Sequence, residues 1–165
     1  MFLRRLAAPL YAIALLMLIL PATDFISNVW PLNPGDFRWR FGMVGLLAGF
    51  LLTPLLGILL ATVVAALSED TRMLRIVSSV AGAGALVLVI FVGLFVLDVL
   101  QFRPEVPAER LGSFDFANIR AIVKHLLVAA TLGWMSLTGW RTVSANMAGK
   151  GKAPRAVATQ TVLSR

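Results

Sequence analysis

The chain has 165 residues, of which 59% are hydrophobic and 14% charged, far from the roughly one-half and one-quarter shares of an ordinary soluble domain. The apolar residues fall in long unbroken blocks, which points to membrane spans rather than a rich soluble core. No cysteine is present, which excludes disulfides, thiolate metal sites and cysteine nucleophiles. The net charge of +7 lies largely in a tail beside an apolar block, so membrane lipids rather than nucleic acid are the expected partner.

The first block, Leu6 to Leu20, follows Arg4 and Arg5 and meets Pro21. It is short for a span, which takes about 20 residues. A secretory signal peptide is the alternative, but no small-x-small cleavage site follows, and Phe25-Ile26 resumes apolar character. A retained helix over about 6–26 is therefore expected. Trp30, Trp39, Pro31 and Pro34 follow in a loop expected at headgroup level.

Asp36 is a capping residue for the next helix, expected over 41–67. Arg38 and Arg40 fall in its first turn, the wrong end for the helix dipole, where headgroup phosphates or an acidic partner would offset them. A small residue recurs at every fourth position of that helix: Gly45, Gly49, Thr53, Gly57, Ala61 and Ala65. Such a stripe lets another helix approach closely, either helix three or four of the same chain or another subunit. Pro54 is expected to kink the helix by displacing the carbonyl of Phe50.

After the polar turn Ser68 to Arg75, a third helix is expected over 76–100. Its first half is small, so Ala61 and Ala65 are expected to meet Ser78 and Gly82. A second loop leads to a fourth helix over 118–140, with Asp115 as its cap. Residues 1–140 thus read as an all-α, polytopic four-transmembrane-helix bundle, and 141–165 as a basic flexible tail rich in Ala, Gly, Ser and Thr.

With both termini inside, nine Lys/Arg lie on the cytoplasmic side and six outside, which favours that orientation. The two halves also echo each other, since Asp36-Phe37 and Asp115-Phe116 each open a returning helix with an arginine soon after. A duplicated hairpin and independent recurrence of caps both explain that pattern.

His125 is the only histidine and shares a helix face with Ala121, Ala129 and Gly133. It reads either as a residue hydrogen-bonded to a neighbouring helix or as an axial ligand. Ala121-Ile-Val-Lys-His125 resembles the Ala-x-x-x-His pattern of bacterial light-harvesting helices, and Trp134 follows at a similar spacing. That resemblance implies a tetrapyrrole on His125, although here the histidine lies early in an inward-running helix. Asp98, Arg120 and Lys124 approach the outer end of the bundle. An ion pair of Asp98 with Lys124 or Arg120 is expected, and Asp98, His125 and Lys124 would form any proton or ion relay.

No His-Glu-x-x-His, phosphate-binding glycine loop or nucleophile elbow occurs, so no catalytic residue and no metal site are assigned and the chain is not expected to be an enzyme. Trp39 to Gly42, entering the Gly-rich helix, is similar to small uncharacterised bacterial inner-membrane proteins over about residues 31–60. That resemblance implies a multi-pass protein of a bacterial inner membrane and no activity. The leading expectation is a non-catalytic accessory or assembly subunit that packs against a larger membrane complex, with a small transporter or channel subunit and a pigment- or haem-binding subunit as alternatives.

Overall fold

The computed structural model describes residues 2–150, with side chains for 6–145 and 147. Within them every element is helical. α1 spans Phe2–Val29, α2 Phe37–Phe50, α3 Leu52–Leu67, α4 Thr71–Phe102 and α5 Leu111–Lys150, with two short 3-10 turns at Arg103–Glu105 and Ala108–Arg110 between the last two. Three helices are long and apolar enough to cross a membrane, and α2 with α3 makes a fourth if that bent pair counts as one span.

α1 passes through Pro9 and Pro21 and ends at Val29, beyond the expected limit of 26. Each proline removes one amide from the helix ladder, and the downstream turns add side-chain bonds to the backbone. Thr23 Oγ1 donates to the carbonyls of Leu20 (2.8 Å) and Ile19 (3.1 Å), and Ser27 Oγ to that of Thr23 (2.9 Å). The indole Nε1 of Trp39 donates to the Val29 carbonyl at 2.9 Å, satisfying one of the acceptors that a helix end leaves free.

The expected single helix over 41–67 is two helices, bent by 50°. Pro54 has no amide to offer Phe50, and its ring crowds that carbonyl. α2 therefore stops at Phe50, and the ladder resumes with the Leu55 amide on the Leu51 carbonyl at 3.2 Å. α2 also starts earlier than expected, at Phe37, because Asp36 accepts from the Arg38 amide at 2.8 Å.

α4 begins at Thr71 rather than 76. Asp70 caps it, accepting from the amides of Arg72 and Met73, a cap hidden in what reads as a polar turn. Glu69 takes the left-handed conformation there, with φ of 57°.

α4 and α5 pair most extensively, and small residues set their separation. A Cβ on Gly82 would stand 2.7 Å from Ser136 Oγ, and one on Gly139 would collide with Ser78. The close approach of Ser78 and Gly82 is thus to α5, while Ala61 and Ala65 cluster with their α4 neighbours Val77, Ala81 and Leu74. α3 instead lies mainly against α1, where a Cβ on Gly57 would stand 2.8 Å from the Ala14 carbonyl oxygen. The expected fourth helix over 118–140 extends to Lys150. Residues 141–150 are helical because Val143, fully buried, packs with Ala65 and Leu74 at the far end of the bundle. The rest of the expected tail, 151–165, lies outside the described residues.

Candidate functional site

At the end of the bundle where α4 turns into α5, charged side chains are paired across helices. Arg40 of α2 places Nη2 2.9 Å from Asp98 Oδ1 and Nε 3.4 Å from Oδ2, and its Nη1 donates to the Pro34 carbonyl at 3.0 Å. Arg38 meets Glu105 at 3.4 Å, and Arg103 meets Asp115 at 3.0 Å. The expected partners of Asp98, Lys124 and Arg120, are not the ones it takes. Val44 of α2 packs with Phe95 of α4, and that contact brings Arg40, one turn earlier on α2, to Asp98.

Asp115 is not a helix cap. It lies inside α5, which starts four residues earlier, and binds Arg103. The echo between the halves therefore stops at the sequence, because Asp36 caps and Asp115 does not. Phe41 stacks among Phe95, Phe102 and Phe114, with ring centroids 5.3, 4.7 and 5.9 Å away. This cluster packs apolar surface beside the Arg40–Asp98 pair. Nothing in the linear spacing of these phenylalanines announces it.

His125 is 0% exposed. Its Nδ1 lies 2.8 Å from the Ala121 carbonyl, an acceptor, so Nδ1 carries the hydrogen. Among the described residues Nε2 has no partner, and neither has Asn118 Nδ2, also buried. Asn118, Ala121 and His125 fall at helical spacing on one face, which is the signal that would have drawn Asn118 in. Asp98, Lys124 and His125 share no hydrogen bond among the described residues, since Arg40 takes Asp98 and Ala121 takes the imidazole.

The small-residue stripe divides at the bend. Gly57, Ala61 and Ala65 are buried inside the bundle. Gly45, Gly49 and Thr53 are exposed, and nothing lies within 4 Å of where a Cβ on Gly45 or Gly49 would stand. Two clefts open from this face. One, of about 280 Å³, runs between α2 and α5 and is lined by Gly45, Ala48, Gly49, Phe116, Arg120 and Lys124 among others. The other, of about 380 Å³, lies on the α1 side, lined by Ile13, Leu16, Leu20, Gly49, Phe50 and Thr53 among others.

No group of three or more His, Cys, Asp or Glu side chains suited to a metal ion occurs among the described residues. No protein-family model, curated protein or solved structure matches the chain.

Proposed function

We propose that the chain is an integral membrane protein with four spans, α1, the bent pair α2 and α3, α4 and α5, and that it serves as a non-catalytic accessory subunit of a larger membrane complex. Membrane embedding is supported by large apolar side chains that project outward along every long helix, such as Leu15 (55% exposed), Leu86 (63%) and Leu127 (63%). In water such surface would be an aggregation hazard, whereas in lipid it is the solvated face. Even connectivity puts both termini on one side, and the distribution of Lys and Arg favours the cytoplasmic side of a bacterial inner membrane.

The observation that carries the accessory role is the division of the stripe. Gly57, Ala61 and Ala65 are used within the chain, while Gly49 and Thr53 floor an open cleft on the α1 side. In lipid, helices associate through close backbone approach, and small residues permit it. That cleft has the character of a seat for a partner helix.

Alkaline carbonate extraction of membranes tests the embedding, and the chain is expected to stay in the pellet. A photo-crosslinker at Thr53 tests the partner, with adducts to a second membrane polypeptide expected at native abundance. Isolation in mild detergent as a lone chain, with no Thr53 adduct, would sink the accessory reading.

A further inference from the structure

Arg120 and Lys124 stand on successive turns of α5 and both line the cleft against Gly45 and Gly49. Four carboxylates of this end are already engaged: Asp36 caps α2, Asp98 binds Arg40, Glu105 binds Arg38 and Asp115 binds Arg103. Among the described residues neither Arg120 nor Lys124 has an acidic group within ion-pairing distance. The cleft therefore carries two uncompensated positive charges beside a floor of glycine and alanine.

Depth adds a second constraint. The Arg103–Asp115 pair marks the end of the bundle. With that end taken as the membrane surface, Lys124 lies two and a half turns further along α5, ~13 Å at 1.5 Å per residue, beyond a headgroup layer of ~5–7 Å. A lysine there must snorkel outward or meet an anion. Beyond it the cleft continues into a groove of about 350 Å³ that shares Ala48, Gly49 and Lys124 and is otherwise lined largely by Leu51, Leu52, Leu55, Leu127 and Val128. Cations at the mouth followed by an aliphatic groove match a phospholipid in both order and polarity.

We infer that the α2–α5 cleft binds an anionic phospholipid, with the headgroup phosphate held by Arg120 and Lys124 and an acyl chain along Leu55 and Leu127. The inference rests on the membrane reading above, and it assigns the α5 side of the open face to lipid, leaving the Thr53 side to the partner helix. A zwitterionic lipid fits less well, because its ammonium group would face the two cations. Gly45 and Gly49 matter because any side chain there would occupy the cleft floor.

Native mass spectrometry of the full chain in mild detergent tests this, with phosphatidylglycerol and phosphatidylcholine added in equal amounts. The unaltered chain is expected to retain phosphatidylglycerol in preference by about tenfold or more, the scale that two basic residues give at an anionic surface. Arg120→Gln with Lys124→Gln should abolish the preference. Gly45→Leu keeps both charges but fills the floor, and it should reduce retention of both lipids while the thermal melt stays unchanged. Equal retention of the two lipids by the unaltered chain overturns the inference, as does a preference that survives Arg120→Gln with Lys124→Gln, or retention of both lipids undiminished by Gly45→Leu. Displacement of the lipid by millimolar inorganic phosphate would also overturn it, in favour of a small-anion site. A chain released by carbonate overturns the membrane reading and the lipid with it, whereas a retained chain with no lipid preference overturns the lipid alone.

Discussion

Arg40 and Asp98 form a two-point ion pair that is exposed unevenly: the Asp98 side chain is 2% exposed and that of Arg40 29%. Removing the arginine strands a buried carboxylate, whereas removing the charge of the aspartate leaves an arginine with a route outward. Arg40→Met is therefore expected to destabilise more than Asp98→Asn, which should cost ~1–3 kcal/mol. The double change Arg40→Met with Asp98→Leu should recover most of the loss, because apolar replacement of a buried pair is often neutral. Unfolding of the detergent-solubilised protein reads all three, and a double variant as weak as Arg40→Met would contradict the account.

The divided stripe gives opposite expectations for the same substitution. At Gly57 an added methyl group meets the backbone carbonyl of Ala14, which cannot swing aside. Gly57→Ala should cost ~1–3 kcal/mol and loosen α1, seen as faster proteolysis of the helix. At Gly45 the methyl group enters open space, so Gly45→Ala should be neutral or stabilise by up to ~1 kcal/mol through helix propensity. Equal effects at the two positions would mean that the two halves of the stripe do the same job.

The α4–α5 seam is expected to fail at Gly139. Gly139→Ala drives a methyl group into Ser78, whose Oγ is engaged with the Leu74 carbonyl at 2.7 Å. A loss of ~1–3 kcal/mol follows, and a second change, Ser78→Gly, should restore much of it. Absence of rescue in the thermal melt would place the strain somewhere other than this contact.

For His125 the expected outcome is tolerance. Nε2 is a buried polar atom without a partner, and such atoms cost ~1–3 kcal/mol. His125→Leu removes it together with the Nδ1 bond to Ala121, so stability should change by less than ~1 kcal/mol or rise. A fall larger than that, together with visible absorption in the unaltered protein that the variant loses, would establish a bound tetrapyrrole.

Much of the helical plan was legible because apolar blocks and caps are local signals. Asp36 sits directly before α2, and Pro54 lies just past the bend. The cap at Asp70 is not legible, because Glu69 and Arg72 make its surroundings look like a solvated turn, although it accepts two amides. Partner choice was the least legible feature. Connectivity points Asp98 to the cations of the adjoining hairpin helix, but the Val44–Phe95 contact presents α2 to it instead. Likewise the tight turn between α3 and α4 points Ser78 and Gly82 towards α3, and the close approach is to α5. Helix existence follows from a local pattern, whereas pairing depends on which faces are left over after every other helix has docked.

The Arg40–Asp98 pair also bears on the order of events during synthesis. Asp98 follows Arg40 by 58 positions, with the whole of α3 and most of α4 in between. On the membrane reading, α2 emerges from the ribosome carrying a cation whose counter-ion has not yet been made. Stable burial of that end of α2 must wait for α4, so a chain truncated after Leu67 should leave Arg40 more open to aqueous labelling than the full chain.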